Sequence, residues 1–139
     1  MPNFEFRLQR VSEYRALAEG WAKDAYLDAR AARLEAVAGL EGIEVRRGEL
    51  LKSPHRTIED RIAMQNCLDK FDEDERQQRI VIEMLEGDEA KRKEEWTEAR
   101  KELQALEKLR DKAFAEWMVE ENRREQKELD DWTVTRRAA

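Results

Sequence analysis

The chain has 139 residues, of which 43% are charged and 7% aromatic, with five Gly, two Pro and a single Cys. That length suits one domain, and so much charge argues against a compact core and for helices that each bury a narrow seam. A net charge of −6 and a pI near 5.1 make a poor general nucleic-acid binder, since phosphates demand a basic face, and one cysteine excludes an intramolecular disulfide.

Ala, Glu, Lys, Arg and Leu supply about 80 of the residues, the signature of a coiled coil or long helix. High charge with few aromatics also describes unfolded chains, but sustained helical periodicity argues against disorder. Asn3 can cap a helix beginning at Phe4, its side chain accepting from an otherwise unpaired backbone N–H. The seam then steps by fours and threes through Phe4, Leu8, Val11, Arg15, Ala18, Ala22, Ala25, Ala29, Ala32, Ala36, Gly39 and Ile43. The alanine run lets a second helix approach closely.

Arg46 and Arg47 before Gly48 read as a last helical turn with cations and a left-handed cap. Ser53-Pro54 reads as a new N-cap with proline at the first helical position, and Thr57 with Asp60 as a second possible start. A connection over about residues 48–56 therefore joins a first helix of about residues 4–47 to a second of about 57–136, as antiparallel neighbours. Helix two carries the ladder Met64, Leu68, Phe71, Glu75, Gln78, Ile82, Leu85, Glu89, Arg92, Trp96, Ala99, Leu103 and Leu106. Its polar layers at Glu75/Gln78 and Glu89/Arg92 weaken the seam while favouring one register. Asp72–Arg76, Glu75–Arg79, Glu89–Lys93 and Glu120–Arg124 have the favourable i,i+4 order. Gly87 marks a kink in preference to a break.

Centring the turn near residue 52 brings Ala22 beside Ile82, and Phe4 and Leu8 beside Trp96, Ala99 and Leu103. Residues past about 105 then have no partner from the first helix. Leu109, Phe114, Trp117, Met118, Leu129 and Trp132 lie on that overhang, and large exposed aromatics point to a protein-binding surface. Trp96 belongs to the seam, with Trp21 at its flank. The expected fold is an all-α, elongated antiparallel two-helix coiled-coil hairpin with a longer second helix, forming a single domain.

No nucleophile-and-base constellation surrounds the one histidine and one cysteine. His55 follows the proline at the turn, where solvent exposure is expected, and Cys67 adjoins the apolar ladder as a small buried hydrophobe. No glycine precedes a lysine, so a phosphate-cradling loop is missing. The carboxylates of Asp72-Glu73-Asp74-Glu75 point around a helix axis instead of converging on a metal ion. The basic pairs and triplets, such as Lys91-Arg92-Lys93, are flanked by carboxylates and read as solvated faces. No enzymatic role, metal or cofactor is expected. No run approaches a membrane span or a secretory signal, so a cytoplasmic location is expected.

The opening FEFRLQRVSEYR and the closing ALEKLRDKAFAEWMVEENRREQKELDD resemble the FliJ family of flagellar export proteins, relatives of the YscO-type stalk proteins of type III secretion. The resemblance implies an antiparallel coiled coil similar to the central stalk of rotary ATPases. Such a stalk inserts into the ring of the export ATPase FliI, promotes its assembly and activity, and links it to the export gate FlhA. Family members also handle export chaperones. By position, Arg7, Gln9, Arg10, Trp117, Arg123, Arg124, Gln126 and Lys127 would contact the ATPase ring, and Met64, Leu68 and Phe71 the gate. The resemblance implies a place at the cytoplasmic face of the inner membrane, peripheral through its partners; monomer and homodimer both stay open. A general coiled-coil dimerisation or scaffold protein is the competing reading, and a helical arm for structured RNA a third.

Overall fold

The computed structural model describes residues 3–54 and 56–138. They form two helices, α1 (Gln9–Lys52) and α2 (Ile58–Ala138), and no strand occurs among the described residues. This is the all-α pair with a longer second helix that the periodicity predicts. The chain divides into two compact units, one of Met1–Gly20 with Glu98–Ala139 and one of Trp21–Thr97, here the terminal unit and the turn unit.

The helix ends depart from expectation in ways that matter for the register. α1 begins at Gln9 and not at Phe4; residues 3–6 have no regular structure, and the Gln9 N–H donates to the Phe6 carbonyl at 3.0 Å. Asn3 therefore caps nothing. Phe4 is diverted onto the Phe114 and Trp117 rings, where aromatic packing takes the place of a further helical turn. At the other end α1 continues through Gly48 to Lys52, and no described glycine has a positive φ. Without a left-handed residue there, the expected cap at Gly48 is absent.

The connection is residues 53–57, and the start of α2 is fixed by the second of the two predicted signals. The Asp60 N–H donates to Thr57 Oγ1 at 3.0 Å, and the Thr57 N–H donates to Asp60 Oδ2 at 3.3 Å. This reciprocal capping box satisfies donors at the helix start. Ser53 closes α1 instead of opening α2: its N–H donates to the Leu50 carbonyl at 3.1 Å and its hydroxyl to the Glu49 carbonyl at 3.3 Å. His55 lies outside the described residues. α2 passes through Gly87 without a break.

In the turn unit, Ala29, Ala36 and Ile43 are the buried residues of α1. The ladder positions of α2 there, from Met64 to Trp96, are each half-buried at the predicted places. Helix pairing is antiparallel: Tyr26 stacks on Trp96 with ring centroids 5.5 Å apart, Arg33 pairs with Glu89, and Arg47 with Glu75 at 3.1 Å and Asp72 at 2.5 Å. Trp21 is 59% exposed.

In the terminal unit, Ala99, Leu103 and Leu106 continue the seam, and Arg15 bonds Glu102 at 2.5 Å. Val11, predicted for the seam, is 45% exposed.

The partners differ from those expected. Trp96 faces Tyr26 in the turn unit, and Phe4 meets Phe114 and Trp117 in the terminal unit. The α2 partner lies 18 residues further along than predicted at Tyr26 and 14–17 further along at Phe4, roughly four to five helical turns. The reason lies in the connection. It falls later than the spacing suggests, and residues 58–63 of α2 are all exposed, meeting α1 only at the open hollow beside Leu50.

Cross-helix arginines also redirect the surface pairs. Glu75–Arg79 forms as predicted at 2.8 Å. Asp72 and Glu89 instead turn across to Arg47 and Arg33, while Arg76 pairs with Glu73 and Arg124 with Glu121 at i,i+3 spacing.

Candidate functional site

The terminal unit holds one set of candidate binding residues. Phe4 packs edge-on to Phe114 (5.3 Å, 79°) and tilted to Trp117 (5.9 Å, 55°), and Phe114 and Trp117 are themselves 6.0 Å apart. The extended N-terminal segment thereby lies along α2, with an open cleft floored by Phe4, Leu8, Leu109 and Ala113. Phe114 and Trp117 are thus covered in part by the N-terminus, contrary to the expected overhang. This cluster is not expected from the sequence, where Asn3 favours helix from Phe4; aromatics near both chain ends are the available signal.

Arg7, Gln9 and Arg10 are exposed and share one surface with Arg110 and Glu13. Gln9 donates to Glu13 Oε1 at 3.2 Å. Arg110 was not singled out from the sequence, yet it carried a signal. It occupies a seam position between Leu106 and Ala113 where the heptad calls for an apolar side chain.

Arg123, Arg124, Gln126 and Lys127 are exposed on α2. They do not join the Arg7–Arg10 surface: residue 123 lies about 20 Å along the helix from Arg110 at 1.5 Å per residue. Arg123 pairs with Glu120 at 3.4 Å, Arg124 with the buried Glu121 at 3.5 Å, and Gln126 donates to Asp130 at 3.2 Å. The sequence expectation of one cluster therefore becomes two surfaces in the same unit. Beyond Glu121 nearly every described residue is exposed, including Leu129 and Trp132 at 59% and Val134 at 66%. The Arg136 guanidinium lies 5.0 Å from the Trp132 ring centroid.

The turn unit holds the second set. Met64, Leu68 and Phe71 are half-buried, each a seam residue with one edge outward. Leu51, Ile58 and Ile62 nearby are more open, at 53%, 76% and 57%. Leu50, Pro54, Ala63, Met64 and Cys67 line a shallow hollow at the connection. Cys67 is exposed, not buried as expected, because it sits beside the seam and not in it.

Electrostatics follow from the arginine pairs. The Glu75 carboxyl is held below its usual range chiefly by the hydrogen bond from Arg79, against burial, with Arg47 adding to the effect. Arg33 is raised by its bond to Glu89, and Arg79 by its bond to Glu75. The acidic run at residues 72–75 is thus engaged by arginines: Asp72 and Glu75 by Arg47, Glu73 by Arg76, and Glu75 again by Arg79. Surfaces of this kind, charged and apolar without convergent reactive groups, suit binding to protein.

No helix among the described residues is long and apolar enough to cross a membrane. The family model described as flagellar FliJ protein matches residues 4–138. No curated protein and no solved structure matches the chain.

Proposed function

The chain belongs to the FliJ family and so is a component of the flagellar export apparatus, and from that premise we propose that it is the non-catalytic stalk of the export ATPase. In this reading the terminal unit enters the ring of the ATPase FliI and promotes its assembly and hydrolysis. The turn unit reaches the export gate FlhA, with export chaperones as further clients. The protein works at the cytoplasmic face of the inner membrane, held there by its partners.

The observation that carries the reading is the exposed C-terminal stretch of α2. Past Glu121 it offers arginines, carboxylates, Leu129 and Trp132 with no cover from the rest of the terminal unit. A single helix of about 12 Å diameter fits a narrow pore, and mixed charge gives weak contacts that can pass from one subunit to the next. Arg123, Arg124, Gln126 and Lys127 would make the ring contacts. Arg7, Gln9, Arg10 and Arg110 would meet its rim, and Trp117 would brace the two. Met64, Leu68 and Phe71 would meet the gate through their outward edges.

Co-purification of the full chain with FliI and with FlhA from the same organism tests the assignment. Arg123→Glu/Arg124→Glu should reduce capture of FliI and spare FlhA, whereas Leu68→Ser should do the reverse. Capture of neither protein by the unmutated chain would sink the proposal.

A further inference from the structure

In the turn unit the two helices meet through a ladder of unlike rungs. Tyr26, Arg33 and Arg47 of α1 face Trp96, Glu89 and Glu75 of α2. From Tyr26 to Arg33 is one heptad, as is Trp96 to Glu89; from Arg33 to Arg47 is two, as is Glu89 to Glu75. Each rung therefore occupies the same heptad position on its own helix, yet the rungs are chemically distinct: aromatic on aromatic, then cation on anion twice. Between the ion pairs Leu40 and Ile82 hold the equivalent places. A fourth contact breaks the pattern from outside it. The Gln78 side-chain amide donates to the Ala36 carbonyl at 2.8 Å, in a space where a Cβ on Gly39 would lie 3.0 Å from its nitrogen.

We propose that this ladder, and not the connection between the helices, sets the register of the hairpin and forbids sliding of α1 against α2. A slip of one heptad moves one helix by about 10 Å. The connection does not oppose it strongly, because residues 58–63 are exposed and meet α1 only at the open hollow beside Leu50, and a helix end held so lightly unwinds cheaply. The alanines from Ala22 to Ala36 offer little opposition either, since along that run one alanine replaces another after a slip, and only Ile43 differs. The rungs do oppose it. A slip in one direction sets Arg33 against Ile82 and Tyr26 against Glu89; a slip in the other sets Arg33 against Trp96. Each leaves a half-buried carboxylate without its arginine. It also pulls Gln78 out of the notch at Gly39 and onto a residue with a Cβ.

The test separates register from stability by spin-label distances in the full-length chain carrying Cys67→Ser, with labels at exposed Ala31 and Glu73. The parent should give one narrow distance distribution. Arg33→Leu/Arg47→Leu/Glu75→Leu/Glu89→Leu, with an apolar ladder, should remain helical by circular dichroism and show a second population displaced by about 10 Å. The swap Arg33→Glu/Glu89→Arg should keep the single distribution, while Arg33→Glu alone should broaden it. A single unshifted distribution in both the apolar-ladder variant and Arg33→Glu would overturn the proposal and assign the register to the connection. Loss of helicity in the apolar-ladder variant would contradict it as well, since the rungs would then be needed for folding and not for register.

Discussion

The Phe4 ring lies 5.9 Å from the Trp117 ring, 113 positions away in the chain, and this contact decides how much of α2 is covered in the terminal unit. Phe4→Ala should destabilise that unit by about 2–4 kcal/mol, the usual range for truncating a packed aromatic discounted for its partial exposure. Hydrogen exchange should accelerate around residues 110–121 and stay unchanged around residues 64–96. An equal acceleration in both places would mean that the contact does not act locally.

Gly87 and Gly39 are a matched pair within α2 and α1. A Cβ at Gly87 meets nothing within 4 Å, so Gly87→Ala should stabilise by up to about 1 kcal/mol through helix propensity alone. At Gly39 the same gain is offset by displacing the Gln78 amide from the Ala36 carbonyl, a bond worth about 1 kcal/mol. Thermal unfolding should therefore rank Gly87→Ala above the parent and Gly39→Ala close to it.

Thr57→Ala removes the acceptor for the Asp60 N–H and should cost about 1 kcal/mol at the start of α2. Thr57→Ser should restore most of it. Amide exchange at residues 58–62 is the readout, and no change there would show that the box is not holding the helix end.

Glu75 makes stability depend on acid. Its pKa is depressed in the folded chain, so its contribution is fully present above the ordinary value of 4.5 and is lost as pH falls through the lower folded value. Glu75→Gln should flatten the stability profile below that ordinary value while leaving the profile above it parallel to the parent. Arg79→Met should shift the carboxyl back toward the ordinary value, followed by NMR titration of its side-chain carbon.

Much of the fold was legible because heptad periodicity is a local property. From Met64 to Leu106 every ladder residue of α2 named from spacing is half-buried. Register was not legible, since it depends on where two helices end, and end signals compete. Gly48 resembles a cap, yet α1 runs past it; Thr57 and Asp60 prevailed over Ser53-Pro54. That choice accounts for part of the shift in pairing and the exposed start of α2 for the rest, and together they took Phe114 and Trp117 out of the overhang. The diversion of Phe4 was likewise invisible, because Asn3 offers a good cap and only tertiary contact overrides it. Arg110 was legible in principle, as a charge in a seam position.

The most direct test of the stalk assignment is the steady-state ATP hydrolysis rate of purified FliI from the same organism, titrated with the full-length chain. The rate should rise saturably together with hexamer formation, an effect lost in Arg123→Glu/Arg124→Glu and retained in Met64→Ser. A rate that stays at the basal level at saturating concentrations of folded chain would contradict the assignment.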